Sequence, residues 1–201
     1  IPGTRPPYLA PDPVRAARRD GGLVDVVADT FTGGRFWTVY ERSIFECQVF
    51  SPESVDVLAR TDLAGPVSSV TYVPTKGAST IWLISGNQVT VLDVTTGIQT
   101  IRGVVDSEQT VFSYAEGAGV VVGVSFDGRV KLWDIETGTS TMVQLDIHGI
   151  VQGDVIGEGS GRVTLALLED TGRIHVVSLD GPSIVKTLEL SAFSSSVLEL
   201  Y

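Results

Sequence analysis

The sequence predicts an all-β fold of four-stranded antiparallel units in series, about four of them, followed by the first strand of a fifth. Three observations lead there. A phrase of strand, tight turn and strand recurs at a nearly constant spacing. The glycines and prolines fall mostly between short apolar or alternating runs. No ten-residue window carries the 3.6-residue apolar stripe of an amphipathic helix, so helix content should be close to nil.

The clearest copy of the phrase is Ser125-Phe-Asp-Gly-Arg-Val-Lys-Leu-Trp-Asp-Ile-Glu-Thr-Gly138. Asp127-Gly128 between two β-rich runs is a strong hairpin signal, because glycine tolerates the positive φ of a tight turn. Gly86-Asn-Gln-Val-Thr-Val-Leu-Asp-Val-Thr-Thr-Gly97 repeats it upstream, with Gln88 and Arg129 aligned 41 residues apart. Asp170-Thr-Gly-Arg-Ile-His-Val-Val-Ser-Leu-Asp-Gly181 repeats it downstream, with Arg173 aligned 44 residues after Arg129. Ser43-Ile-Phe-Glu-Cys-Gln-Val-Phe-Ser-Pro-Glu-Ser54 is a fainter copy, 45 residues before Gln88.

Four strands fit each of the three clearer units. The second takes 67–73, 80–85, 89–94 and 98–102; the third 110–114, 120–125, 129–135 and 139–145; the fourth 151–156, 163–169, 174–179 and 184–190. The unbroken apolar runs Val120–Val124 and Leu165–Leu168 suit inner strands covered on both faces. Thr139–Leu145 alternates polar with apolar, as a half-exposed outer strand should. A β-sandwich also uses short strands and frequent turns, but it does not explain a phrase recurring at 41 to 44 residues.

A period of 41 to 45 residues with several strands per unit is that of propeller blades. With Asp127-Gly128 and Trp133-Asp134 in the third unit, the chain resembles the WD-repeat β-propellers, which place a turn aspartate and a Trp-Asp pair there. Asp93 matches Asp134, whereas Gln48 and Ser178 stand at that position in the other units. The family often joins the turn aspartate to a histidine ahead of the blade's first strand. Neither His148 nor His175 lies in 103–109, so the resemblance implies an Asp127 network without its histidine. The implied organisation is a Pro/Arg-rich extended leader over 1–22, then blades at about 23–60, 67–103, 110–145 and 150–190, with a fifth opening at 194–201. Ser194-Ser-Ser-Val-Leu resembles Val67-Ser-Ser-Val-Thr, the start of the second unit. Four blades rarely close a ring, so the expectation is part of a larger propeller, completed by the same parent chain or by another.

Composition narrows the function. Hydrophobic residues make up 43% and charged residues 19%, which rules out wholesale disorder. The formal charge of −10 repels phosphate backbones, and beyond Arg15, Arg18 and Arg19 the arginines are scattered; nucleic acid is not an expected partner. Cys47 is the sole cysteine and no glycosylation sequon occurs, so the expectation is an intracellular, cytoplasmic protein. No run reaches the roughly 18 apolar residues of a membrane span.

Several patterns imitate catalytic sites. Asp170-Thr-Gly172 looks like an aspartic protease loop, but that chemistry needs two carboxylates sharing a proton, and no second copy exists. Ser183-Ile-Val-Lys186 has serine–lysine spacing but falls on an outer strand, where the two residues point to opposite faces. Gly157-Glu-Gly-Ser-Gly161 lacks the following helix that a phosphate loop needs. Two histidines and one cysteine match no zinc spacing. Cys47 reads as a small buried hydrophobe, His175 as a packed or edge residue, and Trp37, Trp82 and Trp133 as core. No catalytic, cofactor or metal site is expected. The innermost strands offer only Ser69, Gln152 and Asp154 to a central channel.

The expected function is a non-catalytic protein–protein interaction scaffold, a subunit or segment of a multiprotein assembly. The alternative is a regulatory propeller module of a larger enzyme or of a trafficking-coat protein. The resemblance gathers the turns between second and third strands and the connections between blades on one face. Here those carry Asn87, Arg102, Asp106, Glu108, Arg129, Asp146, His148 and Arg173, the expected protein-binding surface. The acidic balance favours a basic partner.

Overall fold

The computed structural model describes residues 20–190, apart from 32, 53, 76–78, 159–160 and 182. The leader up to 19 and the expected fifth-blade strand at 194–201 lie outside the described residues. Among those described, the fold is all-β with one 3-10 turn, Glu116–Ala118, and no helix is long and apolar enough to cross a membrane.

Four four-stranded antiparallel sheets follow one another, each an up-and-down meander. The first holds β1 (Leu23–Ala28), β2 (Arg35–Tyr40), β3 (Ser43–Ser51) and β4 (Ser54–Asp62). The second holds β5 (Val67–Val73), β6 (Thr80–Ser85), β7 (Gln88–Asp93) and β8 (Gln99–Val104). The third holds β9 (Gln109–Ala115), β10 (Val120–Ser125), β11 (Arg129–Asp134) and β12 (Ser140–Gln144). The fourth holds β13 (Ile150–Glu158), β14 (Arg162–Glu169), β15 (Ile174–Asp180) and β16 (Ser183–Leu190).

The repetition runs deeper than the sequence phrase. In every sheet the pairing of first and second strands shifts register near the start of the first strand. The shifts fall between Leu23 and Asp25, between Val67 and Ser69, opposite Val124/Ser125 of β10, and between Ile150 and Gln152. A one-residue bulge there bends each first strand at the same place.

The chain forms two compact units, divided between Val104 and Val105. In the first, Val27, Trp37, Val39 and Ile44 of sheet one pack with Val67, Ile81, Leu83 and Leu92 of sheet two. In the second, Val122, Val124, Val130 and Leu132 of sheet three pack with Val155, Leu165, Leu167, Val177 and Leu179 of sheet four. Period-two patterning supplies these faces, and each fully buried branched side chain contributes about 1.5–3 kcal/mol.

The turn leaving each third strand explains the recurrent aspartates. Asp93 Oδ1 accepts from the amides of Thr95 and Thr96, both at 2.8 Å. Asp134 Oδ1 accepts from Glu136 and Thr137, at 3.0 and 2.7 Å. Gly97 and Gly138 then close the turns at φ 72° and 70°. The Asp-x-x-Thr-Gly phrase is therefore turn chemistry.

One expectation needs correction. Val121, Val122 and Val124 of β10 are buried on both faces, but in the run Leu165–Leu168 of β14 only Leu165 and Leu167 are buried, while Ala166 and Leu168 are half-exposed. The second face of sheet four meets no other sheet of its unit, so its inner strand alternates. The tryptophans are all buried, as expected of core residues; Trp37 and Trp82 sit in second strands and Trp133 in a third strand.

The segments that imitated active sites sit where the repeat requires. Asp170-Thr-Gly172 is the β14–β15 turn, with the Gly172 amide donating to the Glu169 carbonyl at 2.9 Å. Ser183-Ile-Val-Lys186 opens strand β16. Gly157 ends in β13 and Gly161 precedes β14, so that segment joins two strands. Cys47 is buried, which pushes its thiol pKa up. His175 is buried, and its Nε2 lies 3.1 Å from Glu169 Oε1, out of line for a hydrogen bond.

Candidate functional site

The turns between second and third strands and the connections that follow fourth strands lie at one end of each sheet. In the second unit, main-chain hydrogen bonds join three of these segments. Leu145 donates to the Gly128 carbonyl at 2.9 Å, Gly149 and Ile150 donate to Phe126 at 2.9 and 3.1 Å, and Asp170 donates to Gly149 at 2.7 Å. The connection 145–149 is thereby fixed between the β10–β11 and β14–β15 turns.

The sequence dictates this close approach. Gly128 has φ 82°, and a Cβ there would collide with the carbonyl oxygen of Ile147. Only glycine allows both the left-handed conformation and the contact. Beside it, the Asp127 carboxylate accepts from the Ser125 hydroxyl and from Arg129, whose Nε and Nη2 lie at 2.8 and 2.6 Å. These partners, the serine first, hold the Asp127 pKa below its ordinary value. The Asp127 carbonyl accepts from Gln144 Nε2 at 3.0 Å and lies 3.1 Å from His148 Nδ1. Serine and arginine thus take the side-chain place that the WD-repeat resemblance gives to histidine, and His148 meets the main chain of Asp127 instead.

The expected surface residues divide between the units, Asn87 and Arg102 in the first and the other six in the second. Asp146 and His148 are exposed on the pinned connection. Asp106 and Arg129 come together at a dimple of about 10 Å³, with Ser107, Gln109, Lys131 and Met142 around it. Glu108 is exposed in the segment leading to β9. Arg173 turns toward the outer strand, its Nε 3.6 Å from Glu189 Oε1. Arg102 lies within β8, which runs on to Val104, so it belongs to a strand and not to a connection.

In the first unit Asn87 borders a cleft of about 300 Å³, walled by Leu63, Ala64, Gly65, Val67, Leu83, Ser85, Gln88, Thr90 and Gln99. Sequence reasoning found only Asn87 among these. Gly65 carried no signal, because only the packing of two sheets sets it beside Ser85. Among the described residues, no group of three or more His, Cys, Asp or Glu side chains is arranged to hold a metal.

No known protein family profile matches the sequence, and no curated protein matches it. Solved structures do. Hydrazine synthase from Kuenenia stuttgartiensis is similar over 94% of this chain and 52% of its own, with TM-score 0.65 and 11% identity. The N-terminal domain of Nup159 is similar over 89% of this chain and 47% of its own, with TM-score 0.59 and 12% identity. The fold is a β-propeller. Its four sheets are blades, and the chain spans about half the length of the solved structures it matches.

Proposed function

We propose that this chain is a non-catalytic protein–protein interaction scaffold of WD-repeat kind, acting within a multiprotein assembly in the cell. The observation that carries the reading is the pinned face of the second unit. Connection 145–149 is held by main-chain bonds on both sides, so Asp146 and His148 are presented with little ordering left to do on binding. Asp106 and Glu108 add acidic charge, which together with the net −10 favours a basic partner. The test is fluorescence anisotropy with a labelled lysine-rich peptide. Saturable binding is expected, weakened at least tenfold by the joint change Asp106→Lys, Glu108→Lys, Asp146→Lys and by raised salt. Binding that ignores the triple change would refute the assignment of this face.

A second reading, a propeller module of a larger enzyme or of a trafficking-coat protein, draws on the outer faces of the terminal blades. On the side of blade four away from blade three, Ile156, Ile174 and Leu188 are 59%, 39% and 45% exposed. On the side of blade one away from blade two, Val26, Val49 and Val55 are 50%, 40% and 45% exposed. These are the positions where a propeller packs blade on blade, and further blades from the parent chain or a partner would cover them. Light scattering during size-exclusion chromatography tests this. Self-association of the chain, or its rescue by added blades, is expected; a monodisperse monomer contradicts it.

A further inference from the structure

We propose that the cleft of the first unit seats two or three residues of an extended, uncharged peptide; this deepens the reading of the chain as an interaction module and rests on it. The chemistry of the wall selects the occupant. None of its ten residues is charged and none is aromatic, in a chain of net charge −10. Nothing there neutralises a buried ion, and no ring offers a stacking platform to a sugar or base. What the wall offers is three carboxamides, Asn87, Gln88 and Gln99, and two hydroxyls, Ser85 and Thr90.

A carboxamide carries one acceptor and one donor side by side, the pattern of the peptide group itself. Gln99 is already placed, its Nε2 donating to the Asp62 carbonyl at 3.1 Å, which leaves its oxygen to accept. The side chains of Ser85, Asn87, Gln88 and Thr90 have no hydrogen-bond partner among the described residues. At the equivalent turn of blade three the side chains of Ser125, Asp127 and Arg129 bond one another; here the side chains of the turn are unengaged around a hollow. Leu63, Val67 and Leu83 form an apolar floor for one small side chain, and about 300 Å³ is at the lower end of ligand pockets, room for roughly two or three small residues. Gly65 keeps the mouth open, since a Cβ there would sit 2.7 Å from Ser85 Oγ.

The test is an amide-detected NMR titration of the full 201-residue chain with three blocked tripeptides, acetyl-Ala-X-Ala-amide, where X is valine, lysine or glutamate. The valine peptide should give saturable shifts confined to the amides of residues 63–65, 85–90 and 99. The charged peptides should bind at least tenfold more weakly at this site. Gly65→Val, which fills the mouth, should abolish the shifts, and Thr90→Val, which removes a hydroxyl at constant shape, should weaken binding about fivefold. Absence of saturation, equal binding of all three peptides, or unchanged binding by Thr90→Val would overturn the proposal. A valine peptide that leaves the cleft amides unshifted, while the lysine peptide binds at the pinned face of the second unit, would overturn this site and leave the scaffold reading intact.

Discussion

Ser85 and Ser125 end equivalent strands, the second of blades two and three, yet their surroundings differ completely. Ser125 is buried, donates to Asp127, and accepts from the Arg129 amide at 3.2 Å. Its turn continues into Gly128, which docks connection 145–149. Ser85 has no such partner; its turn is the shorter Gly86-Asn87, and beside it lies the cleft of about 300 Å³. One extra residue, an aspartate that accepts from its neighbours, turns an open end of a blade into a closed one. The two units therefore present opposite surfaces on one architecture: a pinned, charged face and a neutral hollow.

That contrast breaks most sharply at the glycines. Gly128→Ala meets both a left-handed φ and the Ile147 carbonyl and should cost about 3 kcal/mol or more. Gly86→Ala has φ 60° but nothing within 4 Å, so it should cost only about 1 kcal/mol. Urea unfolding of the two variants checks the difference; equal losses would mean that the docked connection contributes nothing.

The serines come next. Ser125→Ala leaves the Arg129 amide without the serine hydroxyl and the Asp127 carboxylate with Arg129 alone of the two side-chain donors, and should cost about 2 kcal/mol. Ser85→Ala should stay within about 0.5 kcal/mol. A smaller effect belongs to the turn aspartates. Amide donors hold Asp134 below the ordinary carboxylate pKa, Thr137 foremost, and hold Asp93 down likewise through Thr96. A carboxylate depressed in the folded state stabilises it above the unfolded pKa of about 4 and loses that contribution as pH falls below it, through the lower folded pKa. Asp134→Asn keeps an acceptor for the turn but removes the charge, so melting temperatures measured from pH 7 to 3 should fall less steeply than in the parent.

Blade three was readable because its turn residues are specialised: Asp127-Gly128 and Thr137-Gly138 each name a conformation few other pairs adopt. Strands β5, β6 and β10 match their expected bounds for the same reason, since glycine or a polar cluster bounds them. Blade one was faint because its outer hairpin turns at Pro52 and carries Gln48, which donates to the Gly33 and Val49 carbonyls where the aspartates of blades two and three accept from turn amides. The recurring bulges were invisible, because a one-residue shift in the first strand leaves no residue-type signature. Of the expected surface, the positions in turns were legible from the repeat alone. Their partners were not: Arg129 folding back on Asp127, or Gly65 meeting Ser85 across two sheets, depends on packing that spacing does not encode.

The most direct test of the pinned face is amide hydrogen exchange at single residues. The account predicts that Leu145, Gly149, Ile150 and Asp170, whose amides donate across the connection, exchange on the order of a thousandfold more slowly than unprotected amides, while Asn87 in the open turn exchanges freely. Exchange of all five at the same unprotected rate would contradict it.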